Sequence, residues 1–283
     1  MTAGRFIGVV LPRSSNSSTR EPAVAGIFYP ARPDELVATV RRLLDDAAPA
    51  AAPPPKAVIA PHAGFAYSGP VAATAFRCAA ARRDEVRRVV VIGPSHFVAF
   101  AGLASSGAAA YRTPLGRVEV DAGAEEALSG LPFVTVLAAA HEREHCLEVE
   151  LPFLQEILGV FRVVPLVVGD ATAAEVGGAL ERVWGGEETL IVVSSDLSHY
   201  RDYETAGRID AATASAIEEL RLEDIGPEHA CGALAIRGLL WVARRKGLRV
   251  TRLDLRNSGD TAGPRHEVVG YGAWALAEEG AHL

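Results

Sequence analysis

Three apolar, strand-like runs in this chain each lead directly into residues that bind metals. KAVIAPHAG delivers His62, RRVVVIGPSH delivers His96, and TLIVVSSDLSH delivers Asp196 and His199. Open α/β sheets bind ligands outside the carboxyl ends of their strands, so residues just past three strand ends can meet however far apart they lie in sequence. Two or three imidazoles and a carboxylate at such an edge are the raw material of a transition-metal site.

Each residue also has a plainer reading. Pro61 stops the run before His62, and Gly64 and Gly69 let backbone approach a ligand closely; the alternative is a histidine that bonds its own strand-to-helix turn. Gly93-Pro94 breaks the next run, so Ser95 and His96 project from the break. Asp196 precedes His199 by three residues, a spacing that shares one face of a helical turn. Asp196 can then orient or charge-stabilise His199 as an acid/base pair, or Ser194, Ser195 or Asp196 can cap a helix. Cys231, followed by Gly232 at the start of an apolar helix, has the setting of a lowered-pKa thiol; the plainer reading is a buried, inert cysteine.

The segment HEREH (141–145) matches the H-E-x-x-H zinc-peptidase pattern. Its interior pair Arg143-Glu144 is charged, and apolar periodicity starts only at Leu147, so the match straddles a loop and a helix start and is rejected. His145 and Glu148 remain pocket candidates, against a solvated first helical turn. Tyr67 and Ser95, which flank the two histidine segments, complete the pocket set. His229 reads as a surface or supporting residue. RNSGDTAG (256–263) reads as an ordinary turn that can also cap the same sheet edge.

These residues must be carried by an alternating scaffold. Strands are expected at 56–60, 88–92, 133–137, 161–168 and 189–193, with short strands within 102–121 around the turn Thr113-Pro114-Leu115-Gly116, and closing strands near 248–256 and 267–275. Helices are expected at 34–46 with Asp34 as cap, and at 69–81, 147–158, 173–184, 204–221 and 231–246. Runs such as Val89–Ile92 are apolar on both parities, which fits central strands covered on both faces. The fold expected is α/β: one domain, residues 20–283, with a mixed, largely parallel central sheet and helices on both faces. Residues 1–19 read as a loose tail and 48–56 as a Pro/Ala connector.

With 283 residues, 49% hydrophobic and 22% charged, the chain has ample material for a core. The net charge of −7 argues against a nucleic-acid surface. Three scattered cysteines, Cys78, Cys146 and Cys231, do not make a disulfide framework, which points to a reducing, cytoplasmic setting. No apolar run approaches the roughly 18 residues that span a bilayer, so no membrane partner is expected.

The segments REPAVAGIFYP, APHAGFAYSG, VIGPSH, EHCLEVELPFL, VVSSDLSHY, ACGALAI and VVGYGAWAL, in that order from about Arg20 to Leu276, resemble the MEMO family, which includes the prokaryotic AmmeMemoRadiSam system protein B type. The resemblance implies a fold similar to class III extradiol ring-cleavage dioxygenases. It also implies metal ligands at His62, His96 and Cys231, with Asp196 and His199 as the adjacent acid/base groups and a functional link to a radical SAM protein. Those dioxygenases bind iron through two histidines and a carboxylate; a thiolate from Cys231 is softer and shifts preference toward Zn, Cu or a differently poised Fe. The function expected is a mononuclear non-haem metal enzyme of redox type, holding a divalent metal, Fe(II) first and Zn or Cu as alternatives. The other readings are a non-catalytic module binding a peptide or small anion on the same fold, and a zinc hydrolase; the partner expected in each case is an unidentified small molecule or peptide.

Overall fold

Val58, Val89, Val91 and Val192 pack on one side of a sheet and Ile59, Val90, Ile92 and Val193 on the other, all fully buried. Strands apolar on both parities need helices on both faces. The computed structural model, which describes residues 18–49 and 52–278, has that arrangement.

In chain order the strands are β1 (Thr19–Arg20), β2 (Ala57–Ala60), β3 (Arg88–Pro94), β4 (Leu103–Ser105), β5 (Ala110–Thr113), β6 (Gly116–Val120), β7 (Val134–Val136), β8 (Arg162–Val168), β9 (Thr189–Ser194), β10 (His199–Arg201), β11 (Leu248–Asn257) and β12 (Val268–Glu278). The helices are α1 (Pro33–Asp46), α2 (Gly69–Ala79), α3 (Ala122–Ser129), α4 (Ala139–Glu142), α5 (Leu151–Leu158), α6 (Ala173–Arg182), α7 (Tyr203–Glu218) and α8 (Ala233–Lys246). The strands join in one sheet, ordered β1-β5-β6-β8-β3-β9-β2-β12-β10. Its centre, β6-β8-β3-β9-β2, is wholly parallel, and the antiparallel β12 closes it on one side with β11 alongside. Helices α1, α2 and α5 cover one face, where Phe76 stacks on Phe153 at 5.0 Å. Helices α6, α7 and α8 cover the other, where Gly177 lies so close to Trp241 that an added Cβ would meet its ring at 2.3 Å. Mixed α/β architecture with helices on both faces is therefore as the sequence indicates.

Several local readings differ. Asp34 does not cap α1: Arg32 is the cap position without a side-chain bond, Pro33 starts the helix with its fixed φ, and Asp34 sits in the first turn, where a carboxylate complements the helix dipole. The helix expected from 147 begins only at Leu151, because Cys146–Glu150 are spent in turns that bury two glutamates and the cysteine. Gly69 makes room for Leu43, 2.9 Å from where a Cβ would sit, and not for a ligand. Helix α3 and the short β1 and β10 carry too few residues to show a period. Of the expected tail, residues 1–17 lie outside the described residues, and Thr19 already pairs with Ala110. Residues 50–51 of the connector also lie outside them. Among the described residues no helix is long and apolar enough to cross a membrane.

Candidate metal centre

Strands β3, β9 and β2 are adjacent and parallel, so their carboxyl ends lie along one edge. His96, Asp196 and His62 each stand two residues beyond one of those ends. Adjacent strands are roughly 4.8 Å apart, which brings the outer two side chains together over the middle one. Gly93 is needed for this edge to close: a Cβ there would lie 2.7 Å from Cys146 Sγ and 3.3 Å from Ser194 Cβ. Gly232 plays the same part for the start of α8, where a Cβ would lie 2.6 Å from Ser195 Cβ. That close approach seats Cys231 against the end of β9, its N–H donating to the Asp196 carbonyl.

The imidazoles of His62, His96 and His145 each offer a ligand nitrogen, and these atoms lie within 4.8 Å of one another. Their rings are 5.3 Å apart for His62–His96, 5.4 Å for His62–His145 and 4.6 Å for the stacked pair His96–His145. The remaining nitrogens of the first two are tied back. His96 Nδ1–H donates to Glu144 Oε1 at 2.8 Å, and His62 Nδ1 contacts Ser194 Oγ at 2.8 Å. Binding the far nitrogen fixes both ring orientation and tautomer, as metal-ligating histidines require. Cys231 lies outside the three-imidazole cluster, with Sγ 3.4 Å from His62 Nε2. Two donors 2.0–2.3 Å from one ion at a tetrahedral angle are roughly 3.3–3.7 Å apart, so that separation suits neighbouring ligands.

Glu144 organises the histidines. Its buried carboxylate accepts from the backbone N–H groups of His96 (2.7 Å), His145 (2.9 Å) and Cys146 (3.1 Å) besides the His96 ring. Burial opposes its charge, but the hydrogen bonds and charge of His96, with those N–H groups, hold its carboxyl down at about 2. Burial first, and then the charge of His96, pushes His62 down to about 3; burial followed by His62 and His96 pushes His145 to about 4. Both are thus neutral ligands at ordinary pH. Burial raises Asp196 against the pull of His199 and of the His62 and Ala63 N–H groups, which donate to Oδ1 at 2.8 and 3.3 Å. Burial, reinforced by Asp196, raises the Cys231 thiol, contrary to the lowering expected of a helix-start cysteine.

The cluster opens into a cavity of about 680 Å³. His62, His96, His145, Asp196 and His199 form its floor, and Phe28, Tyr67, Tyr271, Ser258 and Gly263 contribute walls, so the two ends of the 258–263 turn border this edge. Asp196 and His199 do not share a helical turn: His199 starts β10, and its Nδ1–H donates to the Leu197 carbonyl at 2.8 Å, leaving Nε2 as the acceptor. Tyr200 beside it has φ +56°, a left-handed conformation uncommon for a bulky residue, at the bulge where β10 meets β12.

Ser95 and Glu148 are not among the cavity's lining residues. Ser95 Oγ donates to the Val98 carbonyl, which holds the loop after His96. Glu148 is fully buried, ion-paired to Arg20 and accepting from Tyr29 and from the Ala23 and Val24 N–H groups, so it anchors the N-terminal segment. His229 accepts from the Gly226 N–H in its own turn. The zinc-peptidase reading of HEREH fails as expected. His141 is buried between the Tyr111 hydroxyl and the Ala104 carbonyl, while His145, past the end of α4, turns to the cluster. Sequence reasoning gave Glu144, Ser194 and Glu150 no part in the site. The signal available was the run EHCLEVE itself, whose glutamates recur inside an apolar stretch; acidic residues are almost never fully buried unless partnered.

The fold and this histidine-lined edge define an α/β protein with a candidate mononuclear metal centre. The sequence model described as Memo-like protein matches residues 20–275, and the chain belongs to that family. Its relatives include MEMO1 family proteins of Aquifex aeolicus (36% identical over 266 residues, 89% of this chain and 97% of the relative) and Thermotoga petrophila (36% over 276 residues, 89% and 97%). One from Nitrosopumilus maritimus is 31% identical over 271 residues, covering 90% and 98%. The crystal structure of an uncharacterized protein from Escherichia coli aligns with 76% of this chain and 98% of its own at 15% identity, with a TM-score of 0.49.

Proposed function

We propose that the chain is a metal-dependent redox enzyme whose single non-haem ion is held by His62, His96 and His145, with Cys231 as a fourth donor beside His62. The observation that carries this reading is the convergence of three imidazole donors within 4.8 Å at the floor of a cavity. Neutral imidazoles suit Fe, Zn, Cu and Ni, and a thiolate adds softness without excluding iron. Fe(II), the metal favoured here, would supply a Lewis-acid and redox centre. The chain's own residues supply the rest. Glu144 orients His96, and Ser194 orients His62. His199 presents Nε2 as a base for a cavity-bound ligand, and the buried Asp196 nearby stabilises the imidazolium formed when that nitrogen takes a proton. Phe28, Tyr67 and Tyr271 displace water from the walls, which strengthens these charge interactions.

The test is elemental analysis of protein purified anaerobically, followed by turnover assays on a chelated sample. Stoichiometric iron and activity lost on chelation support the proposal; full activity in metal-free protein sinks it, and zinc with oxygen-independent hydrolysis supports a hydrolase instead. One observation favours a second reading, ligand binding without turnover: Tyr67 and Tyr200 are 44% and 71% exposed at the cavity mouth, where a peptide or small molecule can cover them. A His62→Ala, His96→Ala double variant that binds such a partner normally would support that reading.

A further inference from the structure

Ser194 Oγ has three polar neighbours: the Cys146 carbonyl at 2.7 Å, Glu150 Oε1 at 2.6 Å and His62 Nδ1 at 2.8 Å. A hydroxyl has one proton to give and two lone pairs. The Cys146 carbonyl can only accept, so it takes the hydroxyl proton. The other two neighbours must then both donate to Ser194, His62 through Nδ1–H and Glu150 through a carboxylic O–H. The surroundings of Glu150 agree. The residue is completely buried at the start of α5; among the described residues its Oε2 has no hydrogen-bond partner, and none of its hydrogen bonds or ion pairs involves a cation. An ionised carboxylate there would leave a buried charge uncompensated, and burial raises the acid well above its ordinary range, outweighing the opposing pull of the Ser194 contact, with Asp196 adding to the rise.

We infer that Glu150 is held as the neutral acid and, through Ser194, is the positioning residue that commits His62 to the Nδ1–H tautomer. His62 Nε2 is thereby left with its lone pair at the cluster, where Cys231 Sγ lies 3.4 Å away. The relay runs from the helix-covered interior to the cavity floor, and its first two members, Glu150 and Ser194, touch neither substrate nor ion. The proton inventory is a property of the metal-free protein; only its purpose rests on the proposed metal centre, so the two can fail separately.

The test uses the full-length, metal-free protein. Infrared difference spectroscopy of wild type against Glu150→Gln, at neutral pH in D₂O, should show a protonated-carboxyl C=O band that the variant lacks. Nitrogen-15 NMR should show His62 as a single Nδ1–H tautomer in wild type and in Glu150→Gln, because the amide N–H replaces the acid O–H as donor to Ser194. In Glu150→Leu that donor is gone, Ser194 can turn its proton to His62, and a measurable Nε2–H fraction should appear. Zn²⁺ titrated into the same samples should bind wild type and Glu150→Gln within about threefold of each other, and Glu150→Leu roughly tenfold or more weakly. Absence of the infrared band, or an Nε2–H His62 in wild type, overturns the inference; if Glu150→Leu does not fold, the wild-type and Gln spectra still decide it. Correct spectra with no Zn²⁺ binding by wild type would refute the metal centre and leave the relay standing.

Discussion

Glu144→Gln tests the site's electrostatic design in one substitution. The native carboxylate accepts four N–H groups, three at Oε1 and one, from the His96 backbone, at Oε2. A glutamine keeps one accepting oxygen and puts an NH₂ against a donor, leaving a buried N–H unsatisfied at a cost of about 1–3 kcal/mol. A similar magnitude follows from linkage. The Glu144 carboxyl falls from 4.5 in the unfolded chain to about 2 in the native protein. At 1.36 kcal/mol per pH unit that is roughly 3 kcal/mol of native stability. A depressed acid contributes fully above its unfolded value and loses its contribution as pH falls through the folded one. Urea unfolding should therefore show the variant about 2–3 kcal/mol less stable at pH 7, with the gap narrowing from about pH 4.5 downward. Zn²⁺ affinity at pH 7 should fall roughly tenfold, since a neutral amide oxygen is a weaker acceptor for the His96 ring N–H than the carboxylate it replaces. A gap under 0.5 kcal/mol at pH 7, or one that stays constant from pH 7 to pH 3, would refute the reasoning.

The other expectations follow from the same contacts. Arg20→Ala leaves the buried Glu148 charge without its cation and should cost about 3–5 kcal/mol in urea unfolding; a loss under 1 kcal/mol would contradict the anchoring role. Gly93→Ala should cost about 1–3 kcal/mol by overpacking against Cys146, and Cys146→Ala in the same chain should recover at least half of it, whereas additive losses would count against the contact. A divalent metal at 100 times its dissociation constant should raise unfolding stability by about 2.7 kcal/mol in wild type, as read by the shift in urea midpoint, and by nothing measurable in His62→Ala.

How much was legible can be traced through particular residues. Val89–Ile92 and Leu190–Val193 announce central, doubly covered strands because both parities are apolar, and the parallel core followed from that. His62 and His96 were legible because a strand end and a Gly or Pro breaker precede each one. His145 was harder, since it sits in HEREH, a segment whose charge argued against a helix. Part of the charge that ruled out a zinc peptidase belongs to Glu144, which orients His96 in the turn after β3, 48 residues away in sequence. Ser194 and Glu150 likewise gain their meaning only where β9 and the start of α5 meet. The Asp196–His199 spacing suggested a helical turn, but Asp196 is held by the His62 and Ala63 N–H groups from β2's end, and His199 is drawn into pairing with Val269 of β12. Tertiary partners overrode local spacing there.

X-ray absorption on anaerobically reconstituted protein, wild type beside His145→Ala, tests the metal centre most directly. The donor set assigned here predicts three imidazole nitrogens at about 2.0–2.1 Å and one sulfur near 2.3 Å in the wild type, with one imidazole lost in the variant. An oxygen-only shell, or a wild-type spectrum unchanged in His145→Ala at full metal occupancy, would contradict it.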